Sequence, residues 1–117
     1  MKRFLPLLLV AGMLLGATAC SPEDISRDAI EKWFPDWAED KAIRVAHCES
    51  RLQPDAVSPG GGNWGLFQIN RASWERTVNN MGYDWSQMKD AYINSKVALH
   101  IFKVAGNSWQ PWGCRHA

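Results

Sequence analysis

The chain has 117 residues, room for one domain and not two. Its formal net charge is +1; without Lys2 and Arg3, which fall in a segment with the features of an export signal, 11 basic and 12 acidic side chains remain, a net charge of −1. No basic patch or Lys/Arg run appears, so nothing suggests a nucleic-acid partner. The compositional oddity is the seven Trp. A Trp ring offers a large apolar face and one N–H donor, which suits a dense core or a sugar-facing platform, and for any single Trp the core reading comes first.

Residues 1–19 read as an export signal: a basic start at Lys2 and Arg3, an apolar run from Phe4 to Leu15, and the small residues Gly16-Ala17-Thr18-Ala19. Cys20 directly after them resembles the cysteine of a bacterial lipobox, with Ala17 where Leu is usual. The expectation is a diacylated Cys20 that anchors the protein to a membrane through a short tether, residues 20–24; the competing reading is an ordinary cleaved signal with a stray thiol. Export permits disulfides. Three cysteines allow three single pairings and the sequence does not choose among them; lipidation of Cys20 would leave Cys48 and Cys114.

From residue 25 onward the spacing predicts a folded domain. Ile25, Ala29, Ile30 and Trp33 recur at helical spacing, with Ser26 or Asp24 as cap and Pro35 as stop. Trp33, Phe34 and Trp37 are expected to form an apolar lid on the next helix. That helix spans Asp36 to Leu52, acidic at its start, with Ala38, Ala42, Val45, Ala46 and Glu49 on one stripe and Pro54 as its end. Val57 to Gly65 is a Gly-rich bend, and Leu66-Phe67-Gln68-Ile69 reads as a short strand or hairpin arm. Arg71 to Asn80 is a helix with Asn70 as N-cap and Trp74 and Val78 facing in. After a turn at Met81–Asp84, Asp90 to Val104 is the strongest helix, striped by Ile93, Val97, Ile101 and Val104, with Gly106 as C-cap. The sum is a mainly α, α+β domain with a small β element.

Glu49 is the residue with chemistry. It continues an inward stripe, which is unusual for a charged side chain. It also lies in the last turn of its helix, where the dipole disfavours a second negative charge. Val45, Leu52, Trp64 and Phe67 are available to surround it with apolar surface. All of this raises a carboxyl pKa toward the range in which it donates a proton to a poor leaving group such as a glycosidic oxygen. The competing reading is an exposed Glu on a solvated helix end. Gln68 and Asn70 are neutral amides suited to an N-acetyl group or sugar hydroxyls, or, for Asn70 above all, to turn and cap chemistry. The Gly60-Gly61-Gly62 run lacks the context of a phosphate cradle. His47, His100 and His116 have no ligand spacing, no GxSxG is present, and neither metal nor cofactor is expected.

These residues carry a family resemblance. Glu49-Ser50, the block Gly65-Leu66-Phe67-Gln68-Ile69-Asn70, and Asn94 followed by Val97-Ala98-Leu99 resemble the successive motifs of lytic transglycosylases of the lysozyme-like superfamily. The ending Trp109-Gln110-Pro111-Trp112-Gly113-Cys114, with Cys48 beside the acid, is similar to resuscitation-promoting factors. The resemblance covers roughly residues 40–114. It implies a lysozyme-like α+β fold, a Cys48–Cys114 bridge and a peptidoglycan substrate. It also implies that Glu49 protonates the oxygen between N-acetylmuramic acid and N-acetylglucosamine and then takes the proton of the 6-hydroxyl, giving a 1,6-anhydro product. Gln68 and Asn94 match groove-lining positions, and Ser50 one that supports acid or substrate. Phe67 departs from the commoner Met, and Tyr92 is the nearest counterpart of a late tyrosine motif.

The candidate set is thus Glu49 as catalyst, with Ser50, Trp64, Gln68, Asn70, Tyr92 and Asn94 toward substrate, in a monomer acting on glycan strands. Glycosidases generally use two carboxylates. Asp55 and Asp84 are the second candidates and neither is compelling, which favours the single-acid route over a hydrolytic muramidase. A non-catalytic glycan-binding or structural envelope lipoprotein is the remaining alternative.

Overall fold

The computed structural model describes residues 20–117, so the expected export signal lies outside the described residues. Helix α1 runs Pro22–Trp33. Ser21 caps it: its hydroxyl accepts the Asp24 N–H at 3.1 Å, and the Asp24 carboxylate accepts the Ser21 N–H at 3.3 Å. This reciprocal box satisfies two otherwise free donors, and Pro22 fits the first turn because its position needs no N–H. The polar stretch read as a tether is therefore the start of the helix, and the cap is neither Ser26 nor Asp24. The buried stripe is Ser26, Ala29 and Ile30, while Ile25 is exposed.

Helix α2 spans Asp36–Ser50 and stops before Pro54 is reached. Arg51 and Leu52 both take left-handed backbone, with φ of 56° and 58°. Each costs about 1 kcal/mol for a side chain with a Cβ. The cost is offset where Leu52 is fully buried and its carbonyl accepts the Ser26 hydroxyl at 2.9 Å, tying α1 to the end of α2. The lid of three aromatics does not form: Phe34 is in the core, Trp33 is half-buried and Trp37 is 69% exposed.

The β element is a two-stranded antiparallel ladder, β1 (Asn63–Trp64) and β2 (Ile69–Asn70), pairing Asn63 with Asn70 and Trp64 with Ile69. Leu66 to Gln68 are not a strand but the turn between these arms. Gly65 has φ of +82°, and a Cβ there would stand 2.0 Å from the Met88 carbonyl and 2.3 Å from Asn94 Nδ2. Only glycine lets the turn approach so closely, and it carries Leu66 and Phe67 into the core.

Helix α3 (Arg71–Asn80) begins at the Asn70 cap, as the sequence predicts. A short 3-10 turn at Trp85–Lys89 follows, capped by Asp84 and not signalled by hydrophobic spacing. Helix α4 (Ala91–Val104) starts at the Asp90 cap, and Gly106 just beyond it has the positive φ expected of a C-terminal glycine. Its buried residues are Ala91, Asn94, Ser95, Val97, Ala98, Ile101 and Phe102, whereas Val104 is exposed. α1 packs along α4 and against α2.

The last residues have no regular structure, yet they are pinned. Trp109 packs against Phe102 at 4.7 Å and Phe34 at 5.6 Å between ring centroids, and Trp112 against Trp109 at 5.1 Å. Such pairs contribute about 1 kcal/mol each beyond area burial. A Cys48–Cys114 disulfide then joins the tail to α2. The fold is mainly α, with a small β element and one disulfide.

Candidate active site

A cleft of about 460 Å³ opens where the end of α2, the hairpin, α3 and the C-terminal tail meet. Glu49 enters it from the last turn of α2, half-buried. Burial holds its carboxyl above the ordinary glutamate range, and a hydrogen bond from the Cys114 N–H to Oε2 at 3.0 Å works against that shift. The first effect prevails, so this acid keeps its proton to higher pH than a solvated one. Gln68 and Asn70 line the same cleft from the hairpin. The two side chains at the centre of the sequence reading are therefore brought together.

The hydrogen bonds refine what each amide offers. Gln68, in left-handed backbone with φ of 48°, donates from Nε2 to the carbonyls of Ala56 at 3.1 Å and Gly65 at 3.0 Å. Its donors hold the turn, which leaves Oε1 as the group for a ligand. Asn70 caps α3 through Oδ1, which accepts the Ser73 N–H at 3.0 Å, and donates from Nδ2 to Asn63 Oδ1 at 3.0 Å.

Four other candidates lie elsewhere. Asn94 is fully buried: Oδ1 accepts the Phe67 N–H at 2.9 Å, and Nδ2 donates to the carbonyls of Met88 at 2.9 Å and Trp64 at 3.1 Å. It clamps the hairpin to α4 and does not line the groove. Ser50, also buried, donates its hydroxyl to the Leu66 carbonyl at 2.7 Å, holding the turn against α2 beside the acid. Trp64, in β1, is not among the cleft lining; its indole N–H donates to the Gly61 carbonyl at 2.9 Å and its ring is edge-on to Trp85. Tyr92 donates to Asp28 of α1 and is not part of the cleft wall.

The apolar surface near Glu49 also differs from expectation. Val45, Leu52 and Phe67 are core residues; the cleft walls are Ile69, Trp74, Ile101, Pro111 and Trp112. Asn63, Ser73 and Gly113 complete the lining. The wall from the tail, residues 111–113, had one signal in the sequence: a bridge from Cys48 to Cys114 forces the residues before Cys114 to lie beside Glu49. Trp112 fixes that wall by donating its indole N–H to the Phe67 carbonyl at 2.9 Å. Among the described residues Glu49 is the one carboxylate in the lining. Asp84 instead caps the 3-10 turn, where hydrogen bonds from Ser86 hold its carboxyl low, and Asp55 is an exposed turn residue outside the cleft. No group of three His, Cys, Asp or Glu side chains suited to a metal occurs among the described residues.

One half-buried carboxyl whose hold on its proton is raised by burial, in a cleft lined by neutral amides and aromatic side chains, is an arrangement that can protonate an ether oxygen of a polar, uncharged ligand. Comparison with known proteins gives a family on the same ground. No curated protein and no solved structure matches the chain, but the family model for the transglycosylase SLT domain matches residues 31–114, from the last turn of α1 to the bridging Cys114 and including Glu49 and Gln68. With most of its length covered, the chain belongs to the transglycosylase SLT domain family of the lysozyme-like superfamily.

Proposed function

We propose that this protein is a peptidoglycan lytic transglycosylase using Glu49 as its single acid and base. The observation that carries the proposal is the lone, half-buried carboxyl in a cleft otherwise lined by neutral side chains. In the forward step the Glu49 proton passes to the oxygen linking N-acetylmuramic acid to N-acetylglucosamine, the bond from C1 to that oxygen breaks, and the leaving chain departs as an alcohol. Positive charge develops at C1 as it leaves. The Glu49 carboxylate then takes the proton of the same sugar's 6-hydroxyl, whose oxygen bonds to C1 and closes a 1,6-anhydro ring. Protons balance, and the acid is regenerated. A hydrolytic muramidase would put water in place of the 6-hydroxyl, and such enzymes generally bring a second carboxylate, which the cleft lining lacks among the described residues.

Mass spectrometry of fragments released from purified peptidoglycan tests this. Anhydro ends are expected; reducing ends would establish hydrolysis instead. Glu49→Gln should keep the fold and lose activity by roughly 10²–10⁴-fold, the usual contribution of general acid catalysis. Wild-type protein that releases nothing from any peptidoglycan would leave the glycan-binding alternative. The proposed setting is the cell envelope, with a diacylated Cys20 as anchor, a monomeric enzyme and glycan strands as partner. Cys20 is exposed and unbridged, next to the cap of α1, and no helix among the described residues is long and apolar enough to cross a membrane. Cys20→Ser should move the protein from the membrane to the soluble fraction; unchanged membrane partition would contradict the anchor.

A further inference from the structure

We infer that Asn63, outside the Gly65–Asn70 block, reads the 2-acetamido groups of the glycan, with Asn70 as the residue that fixes its direction. The inference rests on the cleft being glycan-binding and adds the feature of the sugar that it selects. The direction of each amide follows from a chain of hydrogen bonds. The backbone N–H of Ser73 can only donate, so the end of Asn70 that faces it is Oδ1. The other end of Asn70 is then Nδ2, and the atom it meets on Asn63 is the acceptor Oδ1. The pair sits directly opposite in the ladder, where side chains on one face meet. Asn63 Nδ2 is left with no partner among the described residues, on a side chain that lines the cleft. Gln68 has the reverse polarity, since two backbone carbonyls occupy its Nε2 and leave Oε1.

The hairpin wall therefore carries a fixed donor at Asn63 and a fixed acceptor at Gln68. A hydroxyl can donate or accept and gains little from a wall of set polarity. An acetamido group has a carbonyl that only accepts and an N–H that only donates, so it can satisfy both kinds of site. An N-deacetylated sugar presents an ammonium, which cannot accept, and Asn63 Nδ2 then faces a second donor. Leaving a site's donor unpaired is what makes hydrogen-bonding sites discriminate.

Binding to the Glu49→Gln variant tests this without turnover, using an N-acetylglucosamine oligomer and the matching N-deacetylated oligomer, followed by tryptophan fluorescence or calorimetry. The acetylated oligomer should bind roughly ten-fold more tightly, the scale of one net hydrogen bond. Adding Asn63→Ala should bring the two affinities to within about two-fold. Adding Asn70→Ser keeps a good N-cap but removes the group that orients Asn63; it should lower the preference with the melting temperature unchanged, which a purely structural role for Asn70 does not predict. Equal binding by the Glu49→Gln variant, no binding of either oligomer, or a preference that survives Asn63→Ala would overturn the inference. Lysis distinguishes it from the proposed function. Acetyl preference without lysis leaves the inference and removes the enzyme, and equal lysis of acetylated and deacetylated peptidoglycan does the opposite.

Discussion

In the proposed mechanism Glu49 has two opposed tasks, keeping its proton until sugar arrives and releasing it during cleavage. Burial serves the first task, and the Cys114 N–H on Oε2 favours the ionised form needed for the second. The raised pKa has a consequence for stability. The folded protein holds this proton more tightly than the unfolded chain, so the stabilisation is fully present below the ordinary glutamate range. It is lost as pH rises through the raised folded value. Gln does not titrate, and its carbonyl can still accept the Cys114 N–H. The melting temperature of Glu49→Gln should therefore gain on wild type between acid and neutral pH, and parallel curves would show that the carboxyl is not perturbed. Activity should fall over the same upper range as the acid ionises. That Glu49 would be a partly buried carboxyl was legible from its place on an inward stripe at a helix end. That the apolar side chains sharing its cleft include Ile69, Ile101 and Trp112 and not Leu52 or Trp64 was not, because the cleft joins residues far apart in the chain.

The hairpin is held by side chains more than by its own ladder, which has just two residue pairs. Asn94 satisfies one backbone N–H and two carbonyls around it, Ser50 takes the Leu66 carbonyl, and Trp112 takes that of Phe67. Asn94→Ala would remove the partner of the buried Phe67 N–H and of the Met88 C=O, and one of the donors to the part-buried Trp64 C=O. The expected loss is about 3 kcal/mol or more, read from denaturant unfolding. Turnover should drop as well, although Asn94 is shielded from ligand; a near-neutral stability change would show that Asn94 is not the clamp. The family resemblance singles out Asn94 and Ser50. It does not separate a residue that touches sugar from one that positions the wall, since both are polar groups at the edge of a hydrophobic stripe. Strand placement went astray for a related reason. Leu66 and Phe67 look like strand residues because they are apolar, but they are buried through a glycine turn.

At the scale of the whole molecule, the tail is both core and cleft wall. The Cys48–Cys114 bridge spans 66 residues, and on the chain-entropy model such a closure stabilises the fold by about 4 kcal/mol. For a small domain whose total stability is about 5–15 kcal/mol that is a large share. A Cys48→Ala/Cys114→Ala variant should lose about that amount in denaturant unfolding. It should lose activity under conditions where it is still folded, because residues 111–113 and the Cys114 N–H are no longer fastened beside Glu49. Full activity in the folded double variant would mean that Trp109 and Trp112 pin the wall unaided.

Local chemistry in the chain determined the helices, most of their ends, and the partial burial of Glu49 at a helix end. Caps, prolines and apolar spacing act over a few residues and can be read in order; Asn70 caps its helix as that reading has it, while Asp90, read as the first helical residue, is the N-cap, and Gly106, read as the C-cap, follows the C-cap Ala105. Tertiary structure alone decided which polar residues face the cleft, which way their amides point and what walls the acid. Those outcomes depend on hydrogen bonds between distant segments, such as Asn94 to Phe67 and Cys114 to Glu49, and on a glycine turn whose necessity appears only when Met88 and Asn94 close over it.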